Sequence, residues 1–117
     1  MNAPARIPTM EAMERGIDQI ERLLIDAGQA KIKAESADLR RKRVRATLFV
    51  KYKADGNPAG ASEQMAEADP VYELACADWE AAAYEYETLR AQAEARRMRF
   101  DAWRTASATE RAAMNLR

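Results

Sequence analysis

No glycine or proline occurs after Pro70, and between Thr9 and Lys53 the helix breakers are limited to Gly16 and Gly28. A chain so poor in turn residues cannot build many hairpins, which excludes an all-β sandwich and leaves long helices as its natural element. Breakers gather at three places. Residues 1–8 hold Pro4 and Pro8 and read as a flexible N-terminal arm. Asp55-Gly56-Asn57-Pro58-Ala59-Gly60 is a turn signal, and Asp69-Pro70 is an N-cap with proline at the first helical position. Thr9 is placed to cap the first long segment, and Ser62 to cap a short helical turn through Glu67. The plan is helix 9–53, a loop with a short helix over 54–68, and helix 70–105. Ser107 and Glu110 have capping-box spacing, so 108–115 is either a separate last turn or a continuation. At ~1.5 Å per residue the arms would be about 65 and 50 Å long. The expected fold class is all-α: a long antiparallel helical hairpin of coiled-coil type, forming a single domain over 9–117.

The second arm carries the clearer periodicity. Steps of three and four pick out Tyr72, Ala75, Trp79, Ala82, Tyr86, Leu89, Ala93, Arg96, Phe100 and Trp103. All but Arg96 are apolar or aromatic, as a buried stripe requires. The first arm starts as regularly, with Met10, Met13, Ile17, Ile20 and Leu24, and then falters at Lys31 and Arg41. Two steps of four through Gly28 recover a weaker track of Ile32, Ser36, Leu39, Arg43, Ala46 and Val50. Such an inserted step is a stutter, and with Gly28 it marks 26–29 as the place for a bend or break. The packing or oligomer seam is therefore assigned to Met13, Ile17, Ile20, Leu24, Tyr72, Trp79, Tyr86, Leu89, Phe100 and Trp103. A two-helix hairpin has one layer of contact and covers such residues poorly. Pairing hairpins into a helix bundle, as a homodimer or higher oligomer, is the usual solution.

Charge sets the direction of folding. The chain holds 19 basic and 19 acidic residues and no histidine. The sum hides segregation: Arg40, Arg41, Lys42, Arg43, Arg45, Lys51 and Lys53 are followed by Asp55, Glu63, Glu67, Asp69, Glu73, Asp78, Glu80, Glu85 and Glu87. Folding at 55–60 lays the basic end of one arm along the acidic start of the other. It also brings Glu11, Glu14, Asp18 and Glu21 near Arg96, Arg97, Arg99 and Arg104. Each exposed pair contributes less than about 1 kcal/mol, but parallel or slipped arrangements would set like charges together. Arg40 to Arg43 are spread around the helix at ~100° each, so at least one or two must face solvent or another subunit.

Enzyme chemistry finds no foothold. Without histidine there is no His-dependent triad and no Glu-x-x-His di-iron pair, and one cysteine makes neither a zinc site nor a disulfide framework. Cys76 lies on an acidic stretch, which disfavours a reactive thiolate. Gly56 and Gly60 lack the Lys-Ser/Thr of a phosphate loop, and carboxylates such as Glu73, Glu80 and Glu87 sit two turns apart. No catalytic residue, metal or cofactor is expected. The start of the chain is not a secretory signal, no segment is apolar enough to span a bilayer, and the expected location is cytoplasmic.

Met98-Arg99-Phe100-Asp101-Ala102-Trp103-Arg104-Thr105, then Ala108-Thr109-Glu110-Arg111-Ala112-Ala113-Met114, form one distinctive stretch. Lys51-Tyr52-Lys53-Ala54 and Ala68-Asp69-Pro70-Val71-Tyr72 form another. Over roughly residues 40–117 these resemble small helical phage and prophage proteins encoded among recombination and replication genes, near those for single-strand annealing proteins. The resemblance implies an accessory protein in the host cytoplasm, acting on DNA or on a DNA-processing partner. It carries no catalytic residue with it.

Two functions of different class follow. In the first, Arg40, Arg41, Lys42, Arg43 and Arg45, with Arg96, Arg97, Arg99 and Arg104, hold a DNA backbone, single-stranded if Trp103 stacks on bases. In the second, the chain is an adaptor or inhibitor that binds a host replication, repair or defence protein. A structural spacer in a larger assembly is the third and plainest reading. No membrane and no small-molecule substrate is expected as partner.

Overall fold

A computed structural model describes residues 8–116, and these form three helices: α1 (Met10–Ala54), α2 (Ala59–Ala68) and α3 (Pro70–Asn115). The fold is an all-α antiparallel helical hairpin, with no strand among the described residues. Apart from Pro8, the N-terminal arm expected over 1–8 lies outside the described residues.

Local chemistry sets the helix ends. Thr9 Oγ1 accepts a hydrogen bond from the Ala12 backbone N–H at 3.2 Å, capping α1. At the other end Gly56, at φ +98°, adopts the left-handed conformation that closes a helix. Its N–H donates to the Lys53 carbonyl at 3.0 Å and that of Asn57 to the Tyr52 carbonyl at 3.3 Å, a Schellman motif. Asp69 is extended, as a residue before proline must be, and its Oδ1 accepts from the Val71 N–H at 2.8 Å to cap α3.

One expectation is corrected here. Ser62 does not cap the short helix: α2 starts at Ala59 behind Pro58, and Ser62 is interior to it and fully buried. Its hydroxyl faces the Asn57 carbonyl at 3.3 Å, and its own N–H donates to the Pro58 carbonyl at 2.8 Å. Proline supplies the first helical turn with a suitable φ and no surplus donor, so α2 needs no side-chain cap at Ser62. Of the alternatives open at 26–29, α1 takes the unbroken one, and the helix runs through Gly28. The capping-box spacing of Ser107 and Glu110 likewise marks no new start, because α3 continues to Asn115.

The chain clusters into two compact units. Among the described residues, unit 1 joins 8–26 with 89–116, and unit 2 is Ala27–Thr88. In unit 2 the buried residues of α1 are Ala27, Ala30, Ala34 and Leu48, with Ala37, Arg41 and Val44 half-buried between them. They face Ala75 and Ala82 of α3, and α2 adds Ser62 and Ala66. In unit 1, Met13, Gly16, Ile20 and Leu23 of α1 are half-buried, and α3 supplies Leu89, Ala93, Phe100 and Trp103.

These α1 residues recur by threes and fours with no inserted step, so the stutter track is corrected as well. Ile32, Ser36, Leu39, Arg43, Ala46 and Val50 are all exposed. The reason is steric. Small residues on α1 let α3 approach closely and seat its large rings, whereas a stripe of isoleucine and leucine would hold the helices apart. The α3 seam lies where its periodicity indicates, with Arg96 as its exposed member. The energetic consequence is a thin core: among the described residues the largest fully buried side chain is Ser62. At about 0.8 kcal/mol per buried methylene, each alanine contributes little, and the large apolar groups stay partly uncovered.

Candidate interaction surfaces

In unit 2 the basic run of α1 is largely occupied within the chain. The Arg41 guanidinium stacks on the Trp79 ring, 4.2 Å from its centroid, while its Nε and Nη2 reach Asp38 Oδ1 at 2.8 and 2.7 Å. Lys42 Nζ takes the other oxygen of Asp38 at 3.1 Å. The hydrogen bond from Lys42, joined by that from Arg41, holds the Asp38 carboxyl below its ordinary range against a desolvation that opposes it. Asp38 was not singled out from sequence, although its spacing of three and four residues from Arg41 and Lys42 is a recognisable helical pairing signal. Arg45 donates through Nε and Nη2 to Glu67 Oε1 at 3.2 and 2.8 Å, so its acid comes from α2 rather than α3. Lys33 and Glu85 form an α1–α3 ion pair, at 3.7 Å. Arg40 and Arg43 remain exposed, in keeping with the angular spread of the four consecutive cations.

A charge-rimmed groove in unit 2 runs beside this cluster, lined by Lys33 and Arg40 of α1 and by Ala75, Asp78, Ala81, Ala82 and Glu85 of α3. Its charges are balanced across the groove. On the hairpin turn, Tyr52 donates its hydroxyl to Asp69 Oδ2 at 2.5 Å. That bond, with the Val71 N–H, lowers the Asp69 pKa. The same bond, with burial and the Asp69 charge, raises that of Tyr52.

Unit 1 is different in kind. Arg96 Nη1 donates to Gln19 Oε1 at 2.6 Å, and Trp103 stands over Gly16, its Cζ3 lying 3.9 Å from where a Cβ would be. Arg97, Arg99 and Arg104 are exposed, and among the described residues none of the four arginines forms an ion pair with Glu11, Glu14, Asp18 or Glu21. The expected pairing of charges at this end is thus replaced by one arginine–glutamine hydrogen bond. Beside Phe100 lies an open groove of about 610 Å³ lined by Ile17, Ile20, Leu24 and Ile25, with Glu21, Arg97 and Asp101 at its edges. Ile17, Leu24 and Ile25 are 47, 45 and 56% exposed. A second hollow shares Phe100 and Asp101 and continues along Met13, Arg104, Ala108 and Arg111. Of the seam residues read from the sequence, Ile17, Ile20, Leu24 and Phe100 line this groove; Ile17 and Leu24 are exposed and the other eight are half-buried.

Among the described residues no group of three or more Cys, Asp or Glu is placed to hold a metal, and no helix is long and apolar enough to cross a membrane. Compared with protein-family models, with curated proteins and with solved structures, the chain matches none.

Proposed function

We propose that this chain is a non-enzymatic interaction protein that binds an amphipathic helix in the groove of unit 1. The observation that carries this reading is the row of half-exposed aliphatic side chains, Ile17, Leu24 and Ile25, on the α1 bank above Phe100. A helix laid in such a groove buries an i, i+3, i+4, i+7 stripe against it. The thin, alanine-based core supports the reading, since the hairpin leaves its larger apolar groups for something else to cover. The exposed Arg97, Arg104 and Arg111 on the α3 bank favour an acidic helix. The resemblance of residues 40–117 to phage recombination-associated proteins supports an interaction role in DNA processing.

Selection from a displayed library of helical peptides tests the reading. Enriched sequences should be apolar at heptad spacing with flanking acids, and Leu24→Lys should abolish their binding. Failure to enrich any helix, or binding that ignores Leu24→Lys, would refute it.

A second reading, contact with a DNA backbone, is favoured by the exposure of Arg40 and Arg43 one helical turn apart. It requires a low-salt gel shift that weakens steeply with salt and is reduced by Arg40→Ala with Arg43→Ala. Absence of any shift with single or double strands would remove it.

A further inference from the structure

The unit 1 groove fits an amphipathic helix, and this chain contains one whose exposed face is acidic. On α1, Met10, Ile17 and Leu24 recur every seven residues and are 73, 47 and 45% exposed. Glu14 and Glu21 flank that row at the same spacing, both exposed and without an ion pair among the described residues. The α3 bank carries Arg97 and Arg104, again seven apart and again exposed and unpaired. We propose that the occupant of the groove is a second copy of this chain, the α1 segment of each copy lying antiparallel to the α3 segment of the other. The proposal rests on the helix-binding reading of the groove and names its partner.

The levels of the residues agree with it. Within unit 1, Gly16 stands opposite Trp103 and Gln19 opposite Arg96. A two-fold axis parallel to the helices preserves those levels between copies. It then places Glu21 of one copy within one to three residues, less than a helical turn, of the level of Arg97 of the other, and Glu14 likewise of Arg104. Both charge pairs are made twice by symmetry, as an isologous contact requires. The exposed aliphatic row of each copy meets the other's groove, and a two-helix layer becomes a four-helix layer. A slipped or inverted arrangement would lose these pairs and bring Glu21 toward Asp101 at the groove edge.

Sedimentation of the full chain over a range of concentrations, with circular dichroism to verify folding, tests the proposal. The unaltered chain should sediment as a dimer. Glu21→Arg and Arg97→Glu should each weaken dimerisation by about tenfold or more through like-charge contact, and the two together should restore it. A folded chain that stays monomeric at its highest soluble concentration overturns the proposal, as does a dimer indifferent to either reversal. If the monomer still binds selected acidic helices through Leu24, only the second copy is lost. If it binds none, the groove reading falls with it.

Discussion

The guanidinium carbon of Arg41 lies over the indole of Trp79, 4.2 Å from the ring centroid, at a seam position of α1 where a coiled coil would ordinarily carry an aliphatic residue. Its charge is held from the side by Asp38. A residue that belongs by sequence to a cationic cluster is therefore part of the packing of unit 2. Trp79→Ala should destabilise the protein by about 2 kcal/mol, less than the loss of a fully buried tryptophan because the ring is half-buried. Arg41→Lys should also lower the melting temperature, because an ammonium neither stacks as a plane nor forms the forked contact with Asp38. Thermal unfolding by circular dichroism measures both.

The glycines divide by backbone conformation. Gly28 sits in the interior of α1 with nothing within 4 Å of an added Cβ, so Gly28→Ala should stabilise by about 1 kcal/mol. Gly56 has equally open space but a φ of +98°, so Gly56→Ala should destabilise by about 1–2 kcal/mol. Opposite shifts of the urea midpoint are the expected result.

Gly16 is a matter of space. An alanine there meets Trp103 Cζ3 at 3.9 Å, an ordinary contact, and should be tolerated. Leucine would displace the indole, costing about 1–3 kcal/mol. Tryptophan fluorescence in a Trp79→Phe background should move toward the solvent-exposed emission for Gly16→Leu and stay unchanged for Gly16→Ala.

The Tyr52–Asp69 hydrogen bond makes stability depend on pH at both ends. Asp69 titrates below its ordinary value in the fold, so its contribution is complete above about pH 4 and fades as pH falls through the folded value. Tyr52 titrates above its ordinary value, so its contribution is complete below about pH 10 and fades as pH rises through the folded value. Tyr52→Phe should lower the melting temperature at neutral pH, shallow the acid fall and remove Tyr52's part of the alkaline fall. Melting curves from pH 2 to 11 would show it.

Legibility in the sequence followed side-chain size. The α3 seam could be read because tyrosine, tryptophan and phenylalanine stand out against polar neighbours, and Thr9, Gly56 and Asp69-Pro70 could be read because capping is local chemistry. The α1 seam could not. Alanine and glycine carry little hydropathic contrast, so Ala27, Ala30 and Ala34 were passed over for the larger Ile32, Leu39 and Val50, which the fold leaves exposed. Arg41 is a seam residue by virtue of Trp79, a neighbour that only tertiary structure supplies. For the candidate site, Ile17, Leu24 and Phe100 were visible as apolar positions. That they border an open groove depends on how α1 and α3 pack within unit 1, which only tertiary structure supplies.

The affinity of one selected acidic helical peptide for two variants distinguishes the apolar groove from the arginine run as the working surface. The account predicts at least about tenfold weaker binding to Leu24→Lys at an unchanged melting temperature, with Arg40→Ala plus Arg43→Ala binding as the unaltered chain does. Full binding by Leu24→Lys, with loss confined to the double arginine variant, would contradict it.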